Sequence, residues 1–88
     1  MNYQVDFLPQ ALGDLRRLDK LIAWRILKKI KWLSVNLDNL TPEPLGGDLK
    51  GLFKLRVGSH RVLYTISQKE PVIIIHLVGH RREIYKQR

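Results

Sequence analysis

Three cations stand close together in one alternating stretch, Leu52–Ile66 (LFKLRVGSHRVLYTI): Lys54, Arg56 and Arg61. A second basic group, Arg81 and Arg82, follows the last apolar run, and Tyr85 comes four residues after Arg81. Guanidinium forks match phosphate oxygens two at a time. A ring beside them offers a surface on which a nucleobase stacks. Such a set suits a nucleic-acid strand. With chemistry added, it suits metal-free phosphodiester cleavage, in which a ribose 2′-hydroxyl attacks the adjacent phosphorus. Preorganised guanidinium groups would stabilise the charge building on the equatorial oxygens, and losing one such donor costs about 2.7–4 kcal/mol of activation energy. The same surface without the chemistry is a nucleic-acid-binding face, and the plainest alternative is a solvated basic surface.

The elements that must position these residues begin with a β-hairpin. Phe53, Leu55 and Val57 alternate with Lys54 and Arg56, the period of a half-buried strand, and Val62, Tyr64 and Ile66 continue it in a second strand. Gly58-Ser59 fits a two-residue type II′ loop, with Gly at the first central position. This loop predicts a register: Val57 faces His60, Arg56 faces Arg61, and Lys54 faces Leu63. Lys54, Arg56 and Arg61 then share one face of the sheet. Like charges directly opposed are destabilising, so a pair of facing arginines makes sense where an anion arrives between them.

Upstream, Asn2–Leu8 alternates Tyr3, Val5 and Phe7 with polar residues and predicts a first strand. Pro9 ends it and suits the first turn of a helix. Gln10–Leu18 follows as a short helix with Ala11, Leu15 and Leu18 on one side, weakened by Gly13. Asp19 is a good N-cap for a second helix running to about Asn36. There Ile22, Ala23, Ile26, Leu27, Ile30, Leu33 and Leu37 form a core stripe. The opposite side mixes lysines with Leu21, Trp24, Trp32 and Val35, which either cover neighbouring segments or form a contact surface for a partner protein.

Leu40–Lys50 (LTPEPLGGDLK) has two prolines, two glycines and no periodicity, and predicts a passage from helices to sheet. After the hairpin, Ser67–Glu70 predicts a turn and Val72–Val78 a last strand, apolar on both faces and therefore central. Gly79–Tyr85 predicts a polar, basic tail. The order β-α-α-β-β-β predicts an α+β fold: a mainly antiparallel four-stranded sheet with two N-terminal helices on one face. Residues 1–88 form a single domain.

Charge distribution agrees with a polyanionic partner. The net charge is +8, but the first 48 residues carry only +1 of it and the last 40 carry +7. The excess sits on the segment that predicts sheet, which points to nucleic acid or an acidic protein segment. The absence of cysteine removes disulfides and thiolate metal sites. The first ten residues lack the basic start of a secretion signal, and Val72–Val78 is far too short to span a bilayer. These features are compatible with the cytoplasm. Gly-rich phosphate loops, paired catalytic carboxylates and nucleophile elbows are missing. His60, His76 and His80 have no carboxylate at ligand spacing, so no metal or cofactor is implied. His76, inside the apolar strand, reads as a core histidine with a satisfied ring.

The run Leu49-Lys50-Gly51-Leu52 through Ile66, with its L-x-G, K-L-R and R-V-x-Y elements, followed by G-H-R-x-x-I-Y over Gly79–Tyr85, resembles the RelE/ParE superfamily of toxins from type II toxin–antitoxin pairs. The likeness covers essentially the whole chain. It implies a microbial RNase-like fold and a toxin silenced by a separate antitoxin chain. On the RelE side it implies ribosome-dependent cleavage of mRNA in the ribosomal A site. On the ParE side it implies inhibition of DNA gyrase, and an inactive antitoxin-binding module is a third possibility.

By the same resemblance, Lys54 and Arg56 correspond to the paired basic residues of the first hairpin strand. Arg61 corresponds to the transition-state arginine of the second, Arg81 to the arginine after the last strand, and Tyr85 to the stacking tyrosine. Lys50, Arg82 and Lys86 are then RNA-binding cations. Arg56 stands where well-known RelE members have lysine, and arginine stays protonated, which removes a base at that position. His80 becomes the candidate acid–base group, having a suitable intrinsic pKa. Tyr85 lies closer to Arg81 than in those members. The intact basic set favours the nuclease over gyrase inhibition.

Overall fold

The computed structural model describes residues 2–67 and 69–86. Gln68, part of the expected second turn, lies outside the described residues. Among them the chain runs β1 (Gln4–Phe7), α1 (Pro9–Arg17), α2 (Lys20–Asn36), β2 (Glu43–Pro44), β3 (Phe53–Val57), β4 (His60–Ile66) and β5 (Val72–His80), with short 3₁₀ turns at Leu37–Asn39, Gly47–Leu49 and Ile84–Lys86. Pro9 opens α1 as expected, where its missing N–H costs nothing. The Asp19 carboxylate caps α2 by accepting from the Leu21 amide at 2.9 Å.

The α+β class holds, but the sheet has five strands in the order β1-β5-β4-β3-β2 and is mixed. Two differences from the sequence expectation account for this. First, β1 pairs in parallel with β5, Gln4 beside Val72 through Phe7 beside Ile75. The alternation of Tyr3, Val5 and Phe7 selects a face; it carries no information about the neighbouring strand. Second, the stretch expected as loop contributes β2, whose two residues pair antiparallel with β3. Pro44 is tolerated because β2 is an edge. β5 also runs two residues further than expected, to His80.

Both helices pack on one face. Ala11, Ile26, Ile30, Leu33 and Leu37 meet Leu55, Val62, Tyr64, Ile73, Ile75 and Val78 in the main core. On the other face a smaller cluster forms from Leu63, Leu77 and Ile84, with Leu45, Leu49, Leu52 and Tyr85 packed against it. The central position expected for the last strand is correct, since β5 lies between β1 and β4. Leu27 departs from its expected place in the core stripe and is 43% exposed. With Leu21, Trp24, Trp32 and Val35 it leaves the outer side of α2 strongly apolar. Lys28 Nζ sits 4.4 Å from the Trp24 ring and Lys29 Nζ 3.8 Å from the Trp32 ring, so each indole is part-covered by a cation.

β5 contains a bulge. Leu63 pairs with Leu77 while Tyr64 pairs with Ile75, so His76 is the extra residue. It is half-buried instead of being a core histidine, and its Nε2 lies 2.9 Å from Thr65 Oγ1. The bulge inverts the phase of the strand. Ile75 and Val78, three apart, both reach the helical core, and Gly79 is placed opposite Arg61.

Asp14 holds the far edge of β5. β1 accompanies β5 only as far as Ile75. Beyond it, the Val78 amide donates to Asp14 Oδ2 at 3.0 Å, and Arg17 Nη2 donates to Asp14 Oδ1 at 2.6 Å. Asp14 is 4% exposed and Val78 is fully buried. Replacing Asp14 by Ala strands a buried N–H, and we expect a loss of about 1–3 kcal/mol in urea unfolding. Arg17→Ala removes only an exposed partner and should cost clearly less. Equal losses would show that the carboxylate does not act through Val78.

Candidate functional site

The hairpin adopts the expected register residue by residue: Val57 with His60, Arg56 with Arg61, Leu55 with Val62, Lys54 with Leu63. Gly58 has φ of +60° and Ser59 does not have positive φ, which makes the loop type II′. Leu55, Val62 and Tyr64 enter the helical core. Lys54, Arg56 and Arg61 therefore occupy the helix-free face.

Their repulsion is relieved from two directions. Glu43, paired with Lys54 across β2 and β3, lies with Oε2 at 2.8 Å from Lys54 Nζ and 3.2 Å from Arg56 Nη2. Its carboxyl is held below the usual carboxylate range by the hydrogen bond from Lys54 and then that from Arg56. On the other strand, Arg61 Nη1 donates to the carbonyls of Gly58 at 2.9 Å and His60 at 2.8 Å. Both contacts use Nη1, and the donors on Nη2 and Nε are those a phosphate would use. The Lys54 side chain is 17% exposed and that of Arg56 is 62% exposed. The site thus has one sheltered cation and one that reaches outward.

Gly79, buried and without a side chain, lies directly across from Arg61. Arg81 follows two residues later, and its amide donates to the Ser59 carbonyl at 2.8 Å. This ties Arg81 to the turn that also holds Arg61. Tyr85 is half-buried and packs against the cluster of Leu63, Leu77 and Ile84. Since Leu63 faces Lys54, the ring stands on the same face as the cations, toward Lys54. Lys50, Arg82 and Lys86 are exposed.

His80 is placed differently from its expected role. It pairs with His60, which follows the parity of Val62 and Val57 on the helical side, and the two rings meet edge-on at 5.4 Å. Its Nδ1 accepts from the Arg82 amide at 3.1 Å. The bulge at His76 sets this phase, and it separates His80 from Arg61 and Gly79. Sequence reasoning missed Glu43. One signal pointed to it: residues 49–88 contain only two acids, Glu70 and Glu83, so a face of facing cations had to find its counter-charge outside its own strands.

Residues 5–85 match the family described as "ParE toxin of type II toxin-antitoxin system, parDE". Toxin RelG of Mycobacterium tuberculosis is 32% identical over 91 residues, spanning 99% of this chain and 100% of that protein. Among solved structures, the toxin–antitoxin complex RelBE2 from M. tuberculosis superposes with a TM-score of 0.81 at 30% identity, covering 92% of this chain and 100% of that one. The archaeal RelE–RelB complex from Pyrococcus horikoshii gives 0.70 at 28% identity, covering 92% and 97%.

The histidine pair has a measurable consequence. Burial lowers the His60 pKa, and the neighbouring His80 and Arg61 lower it further. Burial lowers His76 as well. A lowered imidazole pKa means the unfolded chain binds more protons, so stability is complete above the ordinary histidine value and falls as pH drops through the folded value. We expect the urea midpoint to decline between about pH 7.5 and about pH 5.5. His60→Asn should flatten that decline, and an unchanged slope in this variant would remove His60 as its source.

Proposed function

Because the chain belongs to the RelE/ParE superfamily of type II toxin–antitoxin toxins, we propose that it is a ribosome-dependent endoribonuclease that cleaves mRNA without a metal. The observation that carries this reading is the placement of Arg56 directly opposite Arg61 on the helix-free face, beside Lys54. In the proposed reaction the ribose 2′-oxygen bonds to the adjacent phosphorus and the bond to the 5′-oxygen breaks. The products are a 2′,3′-cyclic phosphate and a 5′-hydroxyl end. Lys54 and Arg56 bind the phosphate. Arg61 and Arg81, joined at the hairpin turn, stabilise the charge on its equatorial oxygens. Tyr85 stacks a neighbouring base, and Lys50, Arg82 and Lys86 hold the flanking strand.

A proton must leave the 2′-hydroxyl. Arg56 cannot accept it, and His80 follows the other parity. Glu43 is the carboxylate in contact with the phosphate-binding cations. While it holds both, it is a weak base. A phosphate that draws Lys54 and Arg56 away returns its basicity toward that of an ordinary carboxylate, so substrate binding itself would prepare the base.

Two neighbouring structures are complexes of a RelE-type toxin with its antitoxin. By extension, a separate antitoxin would silence this chain, its acidic residues covering the cationic face and its apolar residues the Trp24–Trp32 side of α2. mRNA in the ribosomal A site places the activity in the cytoplasm. The family match to ParE favours one second reading, inhibition of DNA gyrase.

Mapping RNA 5′ ends after brief induction separates the two readings. New ends within mRNA support the nuclease. Intact mRNA with altered DNA supercoiling supports the gyrase reading, and induction without any effect on growth leaves an inactive binding module. For the nuclease, Arg61→Ala and Arg81→Ala should each lower cleavage by about 10²–10³-fold. Glu43→Gln should lower it by about 10²–10⁴-fold with little change in unfolding. Full toxicity of the two arginine variants would show that the site is wrongly assigned.

A further inference from the structure

We propose that the hollow beside Tyr85 is a base-reading subsite selective for guanine, with Asp48 as the reading residue. This rests on the nuclease reading and extends it to substrate choice. Leu45, Gly46, Gly47, Asp48, Leu49 and Tyr85 line an open hollow of about 450 Å³. Three requirements of a base site meet there. The first is an aromatic face held in place: Tyr85 packs against the Leu63–Leu77–Ile84 cluster, which also receives Leu45, Leu49 and Leu52. The second is a wall without side chains. At both Gly46 and Gly47 an added Cβ would find no atom within 4 Å, so space is open over this backbone. The third is a polar group for the edge of the base, which Asp48 supplies.

The wall is built to keep its shape. The Leu45 amide donates to the Leu52 carbonyl at 3.0 Å, closing the loop at its base. Within it, the Leu49 amide donates to Gly46 and the Lys50 amide to Gly47. Gly47 has φ of +61° and Gly51 of +100°, conformations that glycine adopts without strain. The hollow is also in the right place. Tyr85 leans on Leu63, and Leu63 faces Lys54, the sheltered phosphate-binding cation. A nucleotide whose phosphate reached Lys54 and Arg56 would carry its base toward Tyr85.

The chemistry of Asp48 selects the base. A carboxylate along an RNA path repels phosphate, so it does nothing for general affinity. It accepts hydrogen bonds and cannot donate them when ionised, with about four lone-pair sites, enough to keep a protein contact and still take two donors from a ligand. On the Watson–Crick edge, guanine alone presents two adjacent donors, N1–H and N2–H. Adenine, cytosine and uracil each present one donor beside an acceptor, which would face the second carboxylate oxygen. A bidentate contact of this kind discriminates by roughly tenfold or more.

The test uses the full chain, induced in cells, with RNA 5′ ends mapped. The unaltered chain should cut with guanine enriched at one position flanking the broken bond. Asp48→Asn should lower that preference by about tenfold, while total cleavage stays within a few-fold. Gly46→Leu, at a position with extended backbone (φ −118°) and open space, should leave thermal unfolding unchanged, fill the hollow and reduce cutting at guanine sites most. Cleavage without base preference, or a preference unchanged in Asp48→Asn, overturns the subsite and leaves the nuclease standing. Failure of the unaltered chain to cut RNA overturns the nuclease, and the subsite with it.

Discussion

Two arginines placed face to face on neighbouring strands set the terms for this molecule. The pair of Arg56 and Arg61 follows from the Gly58-Ser59 loop, because a two-residue II′ turn allows one register. A slip of one residue would send Leu55, Val62 and Tyr64 to solvent and the cations into the core. The hydrophobic pattern therefore enforces the electrostatic conflict. Its relief comes from Glu43 on one strand and from the turn's own carbonyls on the other. Neither is a buried network. Both are exposed contacts of small stabilising value, which is the arrangement expected where the counter-charge must yield to a ligand.

The positions flanking this pair depend on β5. Its bulge at His76 moves Gly79 opposite Arg61 and moves His80 to the helical side. A regular strand would have placed Val78 or His80 against the arginine. Asp14 then holds the bulged strand at the point where β1 leaves it, through the Val78 amide. A buried carboxylate on a helix is costly unless hydrogen-bonded, and Asp14 has both an amide and a guanidinium. The interior contact and the surface site are thus linked by one strand: Val78 is clasped inside, and its neighbour Gly79 makes room outside.

What could be read in advance was whatever a local period encodes. The hairpin register, the type II′ loop, the caps at Pro9 and Asp19, and the central place of the last strand all follow from alternation, turn chemistry or apolar runs. Partnership between distant segments was not legible. Tyr3, Val5 and Phe7 mark a face, so β1 could have joined any edge. β2 is two residues beside prolines and exists only because β3 offers it an edge. His76 sits in an apolar run whose sequence looks regular, so the phase change, and with it the position of His80, could not be seen. Glu43 lay in a segment without periodicity, and its importance appears only across the β2–β3 pair.

The charge balance of the two halves gains meaning from that pair. The C-terminal forty residues bring +7 and two acids, and the acid nearest the site is lent by the other half of the chain. One carboxylate shared by two cations leaves the face with a net positive charge even when Glu43 is in place. A phosphate and an acidic protein segment would therefore compete for the same surplus, and each would have to displace the same residue. If Glu43 is also the proton acceptor, an antitoxin that merely neutralised the cations would free the base without blocking the site. Silencing would then require the partner's own chain to fill the space between Arg56 and Arg61, where the substrate phosphate enters.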